Sequence, residues 1–225
     1  AHWHLETADM PKDVLAAQAC SVRKVYNSAR GRAASYSGEV LAGFDLGEST
    51  RFYSPSKNEL LCTSLCHIAE GSKGYFYWLW NPLREGPNAG AWSIREIDGS
   101  ANDKSRILAE LGKMIAANND LLYSVKPADI YVAIFDSMDA AIYLARRSEY
   151  HPLSEWYVKN QYGFYKALRK VQMGCDFVDE TALFNGTINN YDCIYVPFSM
   201  TMEKNVADAL KNYVYQGGTI IVDCM

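Results

Sequence analysis

The sequence contains no long hydrophobic run and no excess of basic charge. No apolar stretch approaches the roughly 18 residues that a membrane-spanning helix needs, so we expect no membrane partner. The 22 Lys and Arg residues stand against 26 Asp and Glu residues, which gives a net charge of −4. Because nucleic-acid binders need a concentrated basic face, we expect no nucleic-acid partner either.

The six cysteines lack the spacing of a metal site or of a disulfide framework. No CxxC pair is present, and only Cys62, Cys66 and His67 lie within one helical turn of each other. A zinc site needs more ligands at closer spacing. We therefore expect free thiols, no metal, no cofactor and a reducing, cytoplasmic location.

The first half of the sequence alternates between helical and strand patterns. Two apolar runs predict buried parallel strands, Val40–Phe44, which stops at Asp45, and Gly74–Trp80. The segments predicted to be helical are 11–34, 55–70 and 103–122. This order is typical of a parallel α/β sheet, where chemistry lies at the carboxyl ends of the strands.

The second half predicts a doubly wound α/β domain of its own. Pro127 marks the boundary, so we divide the chain into domains at 1–124 and 128–225. Strands are predicted at 130–135, 175–178, 192–197 and 219–222, and helices at 153–173 and 203–215. The strands are too apolar to face water, so helices should cover both sheet faces. The predicted helical core residues are Trp156, Tyr157, Phe164, Val206, Leu210 and Val214.

Several short motifs in this order resemble glycoside hydrolase family 42, the β-galactosidase family. In the first half these are the turn 69–74, the aromatic strand ending in Trp80, the Gly-rich loop 86–90 and Asp98-Gly99. In the second half they are the strand at 130–135, Tyr165 with Leu168, Val178-Asp179, Tyr191-Asp192, Val196-Pro197, Tyr213-Val214 and Gly217-Gly218. The resemblance implies the C-terminal portion of a (β/α)8 TIM barrel, followed by a flavodoxin/Rossmann-like, glutamine-amidotransferase-like trimerisation domain incomplete at its C-terminus.

The resemblance also implies a function for the chain and a partner for its domains. We expect a glycoside hydrolase that acts on a carbohydrate substrate with retention, and a homo-oligomer, which in this family is a trimer. Retaining glycosidases need two carboxyl groups about 5 Å apart. The family places the acid/base on an earlier strand, before residue 1. We therefore interpret the chain as a fragment without turnover of its own, whose strand faces at 40–45 and 74–80 are unusually exposed.

The candidate site residues follow the two strands of the first half. Asp45 or Glu48 holds the position of the nucleophile, although either is equally a loop carboxylate that caps a helix or pairs with Arg51. Trp80 is interpreted as the floor of the sugar site and Trp78 chiefly as barrel packing. His4 is a candidate sugar contact or part of a frayed terminus.

A second function fits the same architecture. The family carries Glu where this sequence has Asp45, so a non-catalytic sugar-binding or assembly protein is the alternative hypothesis. An Asn-Glu pair at the end of an upstream strand would favour the enzyme over this alternative.

Overall fold

The computed structural model describes residues 10–29, 32–45, 52–85, 93–126, 128–146 and 151–223. The chain divides into two compact units. The first unit comprises residues 1–22 and 29–127, and the second comprises residues 23–28 and 128–225.

The described part of the first unit is a short parallel sheet with helices on one face. Its helices are α1 (Met10–Ala29, of which 23–28 belong to the second unit), α2 (Lys57–Ala69), α3 (Asp103–Ala117) and α4 (Asn119–Ser124). Its strands are β1 (Ser37–Leu41), β2 (Phe44–Asp45), β3 (Phe52–Tyr53) and β4 (Tyr75–Trp78). Strand β1 pairs in parallel with β4, and β2 pairs antiparallel with β3.

The two faces of the β1–β4 sheet differ sharply in burial. One face, which includes Tyr77, packs on a core formed by Ala42, Leu60, Ile94, Leu108 and Leu111. On the other face Phe76 is 65% exposed and Trp78 is 40% exposed. This exposure of large aromatic residues agrees with the expectation for a strand pair that forms part of a barrel wall.

Local signals set most helix ends in this unit. Helix α2 begins with a capping box, in which the Ser56 amide donates to Glu59 Oε2 at 2.7 Å and the Glu59 amide donates to Ser56 Oγ. Two predictions were too long. The first helix ends at Ala29 instead of continuing to 34, and the helix expected at 103–122 breaks at Asn118 into α3 and α4.

The second unit is a four-stranded, wholly parallel sheet in the order β6-β5-β7-β8. Its strands are β5 (Val132–Phe135), β6 (Asp176–Val178), β7 (Cys193–Val196) and β8 (Thr219–Val222). Its helices are α5 (Met138–Arg146), α6 (His151–Lys170), α7 (Glu180–Phe184), a 3-10 helix (Thr187–Asn190) and α8 (Lys204–Tyr215). In this order β5, the first strand of the second unit, lies inside the sheet, as in the flavodoxin-like doubly wound fold.

The core of the second unit corrects three sequence predictions. Tyr157, Val206 and Leu210 are buried as expected, but Trp156 and Val214 are each 46% exposed. Tyr213 is buried in place of Val214, because Val206, Leu210 and Tyr213 keep the spacing of one helical face. The prediction that β8 is buried is also wrong, because β8 lies at the edge of the sheet and its Val222 is 61% exposed.

Candidate functional site

The backbone register places the candidate residues at one end of the β1–β4 pair. Leu41 lies opposite Trp78, so the chain leaves both parallel strands at the same edge. Asp45 follows in the short strand β2, where it pairs with Phe52. Trp80 follows two residues after β4. This edge is the carboxyl end of the strands, where α/β barrels carry their chemistry.

Three of the predicted residues lie wholly or partly outside the described residues. The structure places the backbone of Asp45, and its side chain lies outside the described part. Glu48 and His4 lie outside the described residues altogether. Their roles as nucleophile and sugar contact therefore stay predictions.

Trp80 is an exposed indole with a fixed backbone. Its side chain is 60% exposed, and its carbonyl accepts a hydrogen bond from the Arg95 amide at 3.1 Å. The preceding carbonyl, that of Leu79, accepts from the Ile94 amide at 3.0 Å. These two bonds tie the chain after β4 to the segment that leads into α3, while most of the indole stays accessible to a ligand.

Trp78 is partly accessible in this chain, and its role in barrel packing stays a prediction. It is 40% exposed on the aromatic face of β4, and the peptide bond that joins it to Leu79 is cis. Aromatic faces are suited to the apolar faces of sugar rings as well as to cores. Both tryptophans therefore offer accessible surface at this edge of the sheet.

Arg95 contributes a charge to the site that the sequence reasoning missed. Its guanidinium carbon lies 4.7 Å from the centre of the Trp80 ring, within the range of a cation–π interaction. Its Nη1 donates to the Gly99 carbonyl at 3.3 Å. No local sequence motif connects Arg95 with a tryptophan fifteen residues earlier in the chain.

Two further polar contacts join α2 to the same strands, one at Ser37 at the start of β1 and one at Tyr77 near the end of β4. His67 Nδ1 and Ser37 Oγ are 2.7 Å apart, and Ser64 Oγ bonds to the Tyr77 hydroxyl. Burial lowers the pKa of His67 to about 4, so this imidazole is neutral near pH 7. Because these contacts tie α2 to β1 and β4 and the imidazole carries no charge, we assign them a structural role.

The described residues contain neither a metal centre nor a membrane helix. Within that part of the chain, no three His, Cys, Asp or Glu side chains form a group that could hold a metal ion. No described helix is both long and apolar enough to cross a bilayer.

Comparison with known proteins identifies the fold of both units. Residues 130–225 match the family model of the β-galactosidase trimerisation domain. No curated protein sequence matches the chain.

Solved β-galactosidases share the architecture at low sequence identity. The enzyme from Rahnella sp. R3 is 17% identical over 98% of this chain, with a TM-score of 0.75. That from Bacillus circulans sp. alkalophilus is 18% identical over 97%, with a TM-score of 0.74. A catalytic mutant of Gan42B, a GH42 β-galactosidase from G. stearothermophilus, is 17% identical over 98%, with a TM-score of 0.76. The chain spans 31% of the length of each of these proteins.

These findings identify the fold of the chain. The fold is the C-terminal portion of a TIM barrel followed by a flavodoxin/Rossmann-like doubly wound domain, which confirms the predicted fold class. Residues 130–225 match the β-galactosidase trimerisation domain, and the whole chain shares its fold with part of solved β-galactosidases. Identities of this size establish the fold and leave the activity to be proposed.

Proposed function

We propose that this chain carries part of a retaining glycoside hydrolase site for β-linked sugars such as galactosides. The observation that carries the proposal is the exposed Trp80 at the carboxyl end of β4, the same sheet edge from which β1 leads to Asp45. Trp80 supplies a flat apolar surface for a sugar ring, and Asp45 or Glu48 supplies the nucleophilic carboxylate.

The proposed chemistry needs two carboxyl groups. The Asp45 or Glu48 carboxylate attacks the anomeric carbon, while a carboxylic acid protonates the departing glycosidic oxygen. Water then hydrolyses the covalent glycosyl-enzyme with the help of the same acid, now acting as the base. We expect this second carboxyl on an earlier strand, before residue 1.

The proposed oligomer is a homotrimer assembled through the second unit. The support is the match of residues 130–225 to a trimerisation domain. Light scattering on the purified chain measures its mass directly, and a monomer at micromolar concentration would contradict the proposal.

The enzyme is tested by hydrolysis and by covalent trapping. Purified 1–225 should show no Asp45-dependent hydrolysis of an aryl β-galactoside, because the acid is expected elsewhere. A longer product of the same gene, if it carries an Asn-Glu pair at the end of an earlier strand, should react with a 2-fluoro-galactoside. Mass spectrometry should then find the adduct on Asp45 or Glu48, and Asp45→Asn and Glu48→Gln variants identify which.

The alternative is a non-catalytic sugar-binding or assembly protein with the same architecture. The specific observation in its favour is Asp45, which is one methylene shorter than the glutamate of the family. Sugar binding that depends on Trp80, together with no adduct in any product of the gene, would establish this alternative.

A further inference from the structure

The indole of Trp80 is exposed, yet one of its faces is already in contact with a cation. The side chain is 60% exposed, and the Arg95 guanidinium lies over its ring at 4.7 Å. A free indole on a surface samples several rotamers, and a ligand that stacks on it must immobilise it. A group that holds the ring before the ligand arrives therefore improves binding.

Arg95 is itself held from several directions. Its amide donates to the Trp80 carbonyl at 3.1 Å, and its backbone forms an antiparallel bridge with Ala101. Its carbonyl accepts from Ser93 Oγ at 2.9 Å. Its guanidinium donates to the carbonyl of Gly99, in a turn where φ of Gly99 is +82°. The backbone of Arg95 is thus fixed by hydrogen bonds on both sides, and its guanidinium is held by a further bond to Gly99.

No described carboxylate competes with the indole for this cation. Among the residues that the structure describes, no acidic side chain forms an ion pair with Arg95, and its buried Nε has no hydrogen-bond partner there. The contacts that orient the guanidinium within this part of the chain are the Gly99 carbonyl and the Trp80 ring. The guanidinium therefore lies over the ring at cation–π distance, a contact for which arginine is well suited.

We propose that Arg95 is a positioning residue for the sugar platform: it covers one face of Trp80, fixes the rotamer of the indole, and leaves the opposite face for the sugar ring. This inference rests on the proposed function, because it specifies how the platform of that site is prepared. It assigns to Arg95 no contact with the sugar.

The expected effect on affinity equals the immobilisation of one side chain. Freezing one side chain on binding costs about 0.5–1.5 kcal/mol, which corresponds to about 2- to 12-fold in the dissociation constant. Arg95→Met keeps an unbranched stem but removes the planar cation, so it should weaken sugar binding by that factor. Arg95→Lys keeps the positive charge but lacks the planar guanidinium, so its sugar affinity should lie between those of wild type and Arg95→Met.

The experiment measures the indole and the sugar separately. Acrylamide quenching is read for each protein with and without Trp80→Phe, so the difference reports Trp80 alone. Acrylamide is neutral, and loss of the nearby cation therefore does not change its local concentration. Titration with isopropyl-thio-β-galactoside then gives the sugar affinity. Arg106→Met, which removes an exposed arginine of the same unit, is the matched control.

Each outcome has a defined meaning. The inference requires that Arg95→Met increases Trp80 quenching and weakens sugar binding about 2- to 12-fold, while Arg106→Met changes neither. Equal quenching and equal affinity in wild type and Arg95→Met would overturn it and leave the proposed function intact. Wild type without Trp80-dependent sugar binding would overturn both. If Arg95→Met does not fold, Arg95→Lys gives the same comparison, and a lysine variant identical to wild type in both readouts rejects the role of the planar contact.

Discussion

Replacing Arg23 by methionine removes the cation from a buried ion pair of the second unit. Arg23 Nη2 and Nε lie 2.6 and 2.7 Å from Asp176 Oδ1, and the two side chains are only 3% and 2% exposed. The other carboxylate oxygen, Oδ2, accepts a hydrogen bond from the Tyr191 hydroxyl at 2.8 Å. Methionine fills much of the arginine stem but leaves the carboxylate buried without its positive partner.

The magnitude follows from this burial. Removing one partner of a buried ion pair costs about 3–5 kcal/mol, because an uncompensated charge stays in the interior. The bond from Tyr191 persists and stabilises the remaining carboxylate, so we expect a loss near 3 kcal/mol in the free energy of unfolding. With a urea dependence of about 1–3 kcal/mol per M, the unfolding midpoint should fall by roughly 1–3 M.

The assay must report the second unit alone. Pulsed hydrogen exchange across a urea series, read by mass spectrometry on peptides from β5 and β7, gives the midpoint for that sheet. Lys204→Met is the control: its pair with Asp208 is equally short at 2.6 Å, but Lys204 is 90% exposed. An exposed pair contributes at most about 1 kcal/mol, so this variant should unfold close to wild type.

A double variant tests the reasoning itself. Asp176→Asn neutralises the carboxylate and keeps an oxygen for Tyr191, so Arg23→Met combined with Asp176→Asn removes both buried charges. The double variant should be less destabilised than the sum of the single changes. Additive losses, or an Arg23→Met midpoint within error of wild type, would refute the claim that the unpaired buried charge dominates.

Two further predictions concern single positions. Burial lowers the pKa of His67 from 6.5 to about 4. Between these pH values the unfolded chain therefore binds more protons than the folded chain. The free energy of unfolding should fall by about 2–3 kcal/mol when the pH is lowered from 7 to 4.5. Urea titrations of wild type and His67→Gln at both pH values isolate this contribution, and an equal pH dependence of the two would contradict it. A Cβ on Gly218 would lie 2.2 Å from the Tyr213 ring, so Gly218→Ala should destabilise by about 1–3 kcal/mol. A Cβ on Gly112, inside helix α3, would meet nothing within 4 Å, so Gly112→Ala should stabilise by about 0.5–1 kcal/mol. Urea titrations measure both glycine variants, and a stabilised Gly218→Ala or a destabilised Gly112→Ala would contradict these expectations.

The strands were predictable because their signal is local. Each strand of the second sheet lies within a segment predicted to be a strand, and β8 coincides with the predicted 219–222. The pattern alone does not state which strand lies at the edge, so the exposure of Val222 was not predictable from it. Helix α5 has no counterpart among the predicted helices of the second half, although Ser137 Oγ accepts a hydrogen bond from the Ala140 amide at its start.

The buried ion pair shows why long-range chemistry escapes such reading. Arg23 lies in a helix assigned by pattern to the first half of the chain, and its partner Asp176 lies in a strand of the second. A helical arginine is ordinarily interpreted as a solvated residue, since Arg is almost never fully buried unless it is paired. Only the fold brings residues 23–28 into the second unit and supplies the pairing that permits the burial.

The candidate site likewise contains residues that the local sequence predicts and one residue that only the fold brings into place. Strand ends are encoded locally, so the sequence alone placed Trp80 and Asp45 after two strands whose parallel pairing brings them to one edge. The residue proposed to hold Trp80 is Arg95, whose position depends on two backbone hydrogen bonds, from the Ile94 and Arg95 amides to the Leu79 and Trp80 carbonyls. A sequence motif therefore identifies Trp80 as a candidate sugar contact. The proposed role of Arg95 in orienting Trp80 is recognised only when the structure shows the pairing of residues 79–80 with residues 94–95. The quenching comparison of Arg95→Met with wild type tests this role directly, because a platform held by its own strand alone would not respond to the change.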